Sequence, residues 1–244
     1  MGGLTSPEDG TVSGVMHEHG AVTGGWLRPA VFGAMDGLVS NLALIAGIVG
    51  GTSGDHTNAV VLAGLAGLAA GALSMAAGEY TSVASQAEHI RAEIEIERKE
   101  IAQRPQTEEA ELARMYVDRG VSAALADQLA AEIHADPERA LEVHVREEMG
   151  VDPANLPSPV VAGGSSFVAF AIGAAIPVMP YALGRDSLLV TLVVSLMALF
   201  MCGAVVSRVT NRSWWFGGLR QLALGAVAAG LTYLIGDLVG IAVT

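Results

Sequence analysis

Five apolar stretches, about Leu27–Gly51, Ala59–Tyr80, Val160–Ala182, Leu188–Val206 and Leu219–Val239, constrain this chain more than any other feature. A helix rises about 1.5 Å per residue, so about 20 apolar residues cross the roughly 30 Å of bilayer hydrocarbon, and each stretch is long enough. Lipid offers no partners for free backbone N–H and C=O groups, which makes helices the spanning form. Only 16% of residues are charged and 52% are hydrophobic, against a charged share of about a quarter in soluble domains. The expected fold is therefore an all-α membrane protein with five transmembrane helices.

Residues Ser85 to Leu156 break the pattern, with seventeen acidic and eight basic residues and no long apolar run. They read as an acidic, water-facing three-helix insert between the second and third spans. The division expected is a flexible tail over 1–25, spans one and two over 26–84, the insert over 85–157, and spans three to five over 158–244. Of the 13 Lys and Arg, one precedes the first span, eight lie in the insert, one follows the third span and three lie between the fourth and fifth. Alternate sides are basic and nearly bare, which puts the N-terminus and the insert in the cytoplasm and the C-terminus outside.

Between Ala59 and Arg104 there is no proline, and the last glycine is Gly78, so the second span is predicted to continue into water as one long stalk until Pro105. Thr107 is then expected to cap a second helix ending near Gly120, and Ser122 a third reaching Ala135. Asp136-Pro137-Glu138 reads as N-cap, first helical position and acidic first turn of a last helix that Gly150 stops.

A net charge of −12 repels nucleic acid and favours cations. Cys202 is the only cysteine, so no intrachain disulfide forms. None of the six histidines has a Glu three residues earlier, which disfavours a ferritin-like di-iron enzyme, and no Walker-type phosphate loop is present. His17, Glu18 and His19 lie in the tail without a fixed geometry and are assigned no role.

Asp36 lies within the first span with Ser40 and Asn41, and a carboxylate in hydrocarbon must be paired, protonated or facing water. In the second span Met75 and Glu79 are four apart and share a face. A thioether beside carboxylate oxygens suits Fe²⁺ and other first-row ions better than Ca²⁺ or Mg²⁺. In the insert, Glu97 with Glu100, Glu108 with Glu111, and His144 with Glu147 are each three apart, and pairs on neighbouring turns of three helices can build one site for a divalent ion. The bland reading of any such pair is a solvated helix face.

The segments LRPAVFGAMDGLVSNLALIAGIVG, GALSMAAGEYTSVASQAE and EEMGVDPANLPSPVVAGGSSFVAFAIGAAIPVMPY, with the acidic insert between the last two, resemble the vacuolar iron transporter family. The resemblance runs from about Arg28 to the C-terminus. It implies a homodimer of five spans per protomer that exchanges cytoplasmic Fe²⁺, and often Mn²⁺, for protons, with no cofactor and no enzymatic activity. It implies Asp36 and Met75 as intramembrane metal ligands, Glu79 near the cytoplasmic mouth, and Glu97, Glu100, Glu108 and Glu111 as ligands of a cytoplasmic module. In the last insert helix this chain has Val143, His144, Glu147 and Glu148 where the family usually offers Met and acidic ligands, and Met35 stands where Asn commonly precedes Asp-Gly. The host membrane implied is the plasma (inner) membrane of a prokaryote or a vacuolar-type membrane of a eukaryote. Asp36 and Glu79 are the expected proton-exchanging groups. The competing expectations are a membrane-anchored metal sensor or scaffold that transports nothing, and a passive metal channel.

Overall fold

The computed structural model describes residues 25–209 and 212–243, and these form eight helices in chain order. They are α1 (Leu27–Gly51), α2 (Thr57–Gln103), α3 (Pro105–Asp118), α4 (Ala123–His134), α5 (Pro137–Met149), α6 (Pro159–Ala182), α7 (Leu188–Val209) and α8 (Trp214–Val243). Five of them, α1, α2, α6, α7 and α8, are long and apolar enough to cross a membrane. Large apolar side chains such as Leu62, Leu73, Leu189, Met197 and Leu238 stand exposed along these helices, as surfaces that meet lipid do. The tail expected over 1–25 lies, apart from Gly25, outside the described residues, and so do His17, Glu18 and His19.

α2 is unbroken for 47 residues, in keeping with the absence of proline along it. Pro105 does two things at once. It ends α2, whose C-cap is Arg104, and occupies the first position of α3, where a missing N–H costs nothing. Thr107 therefore sits inside the first turn of α3 and caps nothing, a correction to the sequence reading. Ser122 precedes α4 in extended backbone, but its side chain makes no capping bond. Asp136 behaves as its type and spacing demand: its carboxylate accepts from the N–H groups of Glu138 (3.1 Å) and Arg139 (3.5 Å). Gly150 closes α5 at φ +65°, a conformation that glycine adopts freely.

α1 is central to the spanning helices and packs against α2, α6, α7 and α8. Its contact with α6 is backbone to backbone: a Cβ built on Gly37 would stand 2.8 Å from Ala174 N, and one on Gly33 2.6 Å from Ser166 O. Small residues let membrane helices approach until dispersion forces hold them. Ile45, Val60, Val178 and Tyr181 then join α1, α2 and α6 at one end, and Leu42, Ala46 and Ala229 join α1 to α8. α4 packs on α3 and α5, and α3 and α5 pack on the far end of α2, around Ile101, Leu112, Ala126, Ala130, Ile133, Leu141 and Val145.

Gly37→Val is expected to lower the thermal midpoint of the detergent-solubilised protein by the equivalent of about 1–3 kcal/mol, the usual cost of overpacking. Gly78→Ala, where a Cβ meets nothing within 4 Å, should leave the midpoint unchanged or raise it. Scanning calorimetry or tryptophan fluorescence on both variants reads the difference.

Candidate metal sites

The first candidate site lies among the spanning helices. Asn41 of α1 is buried, and its amide nitrogen donates to two carbonyls, Gly64 O on α2 at 3.0 Å and Ala174 O on α6 at 2.7 Å. With both hydrogens committed, the side chain locks three helices at one level. The preceding residue, Ser40, donates to Oδ1 of Asp36, one turn back along α1, at 2.8 Å. Asp36, Ser40 and Asn41 line a cavity of about 390 Å³ with Gly67, Gly71, Ser74 and Met75 of α2 and Phe170 of α6. A carboxylate, a thioether, hydroxyls and an amide thus face one space between α1 and α2. The missing side chains of Gly67 and Gly71 keep it open: a Cβ on Gly67 would stand 2.8 Å from Asn41 Oδ1. Glu79 is one turn beyond Met75 toward the insert and is not among the residues lining the cavity.

The second site lies at the far end of α2. Glu97 of α2, Glu108 of α3 and His144 of α5 each present a ligand atom, all within 4.8 Å of one another. All three side chains are buried, His144 completely. His144 Nδ1 is 2.9 Å from Glu148 Oε1 and 3.1 Å from Glu97 Oε1. The single hydrogen on Nδ1 serves Glu148, which leaves Glu97 Oε1 buried with no donor. A buried carboxylate oxygen in that condition calls for a cation or a proton.

Electrostatics state the same demand. Burial first, then the nearby carboxylates of Glu148, Glu108 and Glu100, push the Glu97 carboxyl up to about 7, against a smaller opposing pull from His144. Burial, then Glu111 and Glu100, also raise Glu108. An ion of charge +2 at the centre would relieve both desolvation and repulsion.

Three of the expected insert ligands therefore converge and three do not. Glu100 and Glu111 stand outside the close group and act on it only through their charge. Glu147 turns away to pair with Arg119 at 2.7 Å, and it is Glu148 that reaches His144. The structure adds His134, the last residue of α4, whose Nε2 is 3.0 Å from His144 Nε2. Its position ten residues before His144, across a turn, gave no helical spacing by which to find it.

Spanning helices that share a polar cavity, joined to a helical unit holding a buried Glu-Glu-His group that could hold a metal ion, define a multi-pass α-helical membrane protein. Residues 27–237 match the VIT family. The chain is 36% identical to a vacuolar iron transporter of Acanthamoeba castellanii, over 93% of this chain and 84% of that one. It is 28% identical to vacuolar iron transporter 1 of Oryza sativa subsp. japonica, over 95% and 94% of the two chains, and 29% identical to vacuolar iron transporter 1 of Arabidopsis thaliana, over 96% and 94%. The chain belongs to the VIT family.

The raised Glu97 carboxyl fixes a pH dependence. Its unfolded value is 4.5 and its folded value about 7, so between the two the folded state holds more protons and stability is lost as pH rises through about 7. Metal-free protein should therefore lose insert stability relative to Glu97→Gln between about pH 5 and about pH 8. Hydrogen exchange at α3 and α5, corrected for its intrinsic pH dependence, measures the gap, and a pH-independent gap would contradict the assignment.

Proposed function

We propose that the protein is a proton-coupled exporter that moves Fe²⁺ or Mn²⁺ out of the cytoplasm, working as a homodimer with five spans per protomer. The observation that carries this reading is the shared cavity of Asp36 and Met75, which pairs a carboxylate with a thioether between two helices long and apolar enough to cross a membrane. The names of its relatives support iron as cargo. The distribution of Lys and Arg supports a cytoplasmic N-terminus and insert.

The chemistry is competition for buried carboxylates. An ionised carboxylate in a medium of low dielectric constant is costly, so a proton and an arriving cation compete for Asp36. Arrival of M²⁺ expels the proton, and return of the proton from the other side weakens the hold on M²⁺. Met75 adds a soft donor, which discriminates against abundant Mg²⁺. Glu79, one turn nearer the insert, is the second exchange group. Glu97, Glu108 and His144 capture the ion in water before it enters, with Glu100, Glu111 and Glu148 supplying negative potential around them, while Glu147 is held by Arg119.

Liposomes holding the purified protein test this directly. Asp36→Ala should abolish metal-driven proton flux, whereas Glu97→Gln with Glu108→Gln should raise the half-saturating metal concentration on the order of tenfold and leave the maximal rate nearly intact. Wild-type flux in Asp36→Ala would sink the mechanism. Liposomes tight to metal under every pH gradient would favour an anchored sensor, and leakage without uphill accumulation a passive channel.

A further inference from the structure

Among the described residues, His134 is the imidazole that meets the Glu-Glu-His group from outside the helices carrying it. It closes α4, half-buried, and its ring meets that of His144 edge to face, with centroids 5.2 Å apart and planes at 83°. Two ring nitrogens 3.0 Å apart must share one hydrogen, one donating and the other accepting. The Nδ1 of His144 faces the carboxylates of Glu97 and Glu148, so its hydrogen belongs there. Nε2 of His144 is then bare and accepts from Nε2–H of His134. His144 thus has no contact with water and a partner on each nitrogen.

An ion held by Glu97 and Glu108 meets Nδ1 of His144, the nitrogen on their side of the ring. To bind there it must displace the Nδ1 hydrogen, and His144 then needs its hydrogen on Nε2, aimed at an acceptor. His134 is that acceptor. The hydrogen on Nε2 of His134 crosses to Nε2 of His144, the Nδ1 hydrogen of His144 passes to the part-exposed carboxylate of Glu148 and from it to water, and Nδ1 of the half-exposed His134 takes one from water. Each ring ends with the one hydrogen it began with, so the change is a paired tautomer exchange with no net proton taken up by the imidazoles. A metal-bound imidazole whose other N–H is held by a fixed acceptor is the better ligand, by about 10–100-fold in affinity.

We propose that His134 is a positioning residue for this site, and that the His134–His144 pair makes the insert select ions that accept a nitrogen donor, such as Fe²⁺, Co²⁺ and Zn²⁺, over Mn²⁺ and Mg²⁺. The proposal rests on the reading of the insert as the module that captures metal. Carboxylates alone hold hard ions well, and an oriented imidazole moves preference along the series from Mn²⁺ toward Zn²⁺.

The test uses full-length protein in detergent micelles, with Co²⁺ as the nitrogen-seeking probe and Mn²⁺ as the harder one. His134→Leu should lower the ratio of Co²⁺ to Mn²⁺ affinity by about tenfold or more and shift the Co²⁺ ligand-field bands. His134→Gln, which restores an acceptor, should recover most of that ratio. An unchanged ratio in His134→Leu, or equal loss for both ions, overturns the proposal. Glu97→Gln separates the two readings: loss of affinity for both ions there, with no effect of His134→Leu, rejects the role of His134 alone, whereas no loss in Glu97→Gln rejects the capture module itself. In the unsubstituted protein, ¹⁵N-histidine spectra with Zn²⁺ should show the His144 hydrogen moved from Nδ1 to Nε2, and a hydrogen still on Nδ1 in the Zn²⁺ form also overturns the proposal.

Discussion

The amide of Asn41 holds the membrane half of the molecule in register. A primary amide in hydrocarbon must spend its two N–H groups on something, and here they go to one carbonyl on α2 and one on α6. Those two hydrogen bonds fix how far α1 stands from both neighbours. The glycines of α1 let it press against the α6 backbone, and those of α2 leave room opposite Asp36. The cavity therefore follows from a packing choice. Tight contact on one side of α1 is matched by open space on the other, and the carboxylate is on the open side.

The insert follows a different rule. Its helices bury little apolar surface apart from one cluster, and into the same interior they carry two glutamates and a histidine. Removing one partner from such a group leaves charge without compensation, while a divalent ion balances it. The strain in this group is electrostatic: Glu97 is held near neutrality by its own surroundings, and its oxygen lacks a donor.

Much of this was legible in the sequence, because lipid punishes ambiguity. Apolar runs of some 20 residues have one use, and the absence of proline from Ala59 to Arg104 foretold the length of α2. Asp136 and Gly150 announced α5 through their cap chemistry. What the spacing could not say was which member of each pair turns inward. Residues three apart differ by about 60° around a helix, and whether Glu97 or Glu100 meets the core is decided by where α3 and α5 lie against α2. The same holds for Glu108 over Glu111 and for His144 over Glu147. Pro105 outbid Thr107 for the start of α3 because a fixed φ angle is worth more there than a hydroxyl. His134 was hidden for a further reason, since its partner lies across a turn, where helical periodicity carries no information.

α2 has a mechanical corollary. Eighteen residues separate Glu79 from Glu97, which at about 3.6 residues per turn is five whole revolutions, so the two acids point the same way about 27 Å apart along one axis. Below Gly78 nothing in the sequence breaks the hydrogen-bonded ladder between them. The helix is in effect a camshaft with two lobes in phase: any roll of α2 against α1 and α6 turns Glu79 and Glu97 through the same angle.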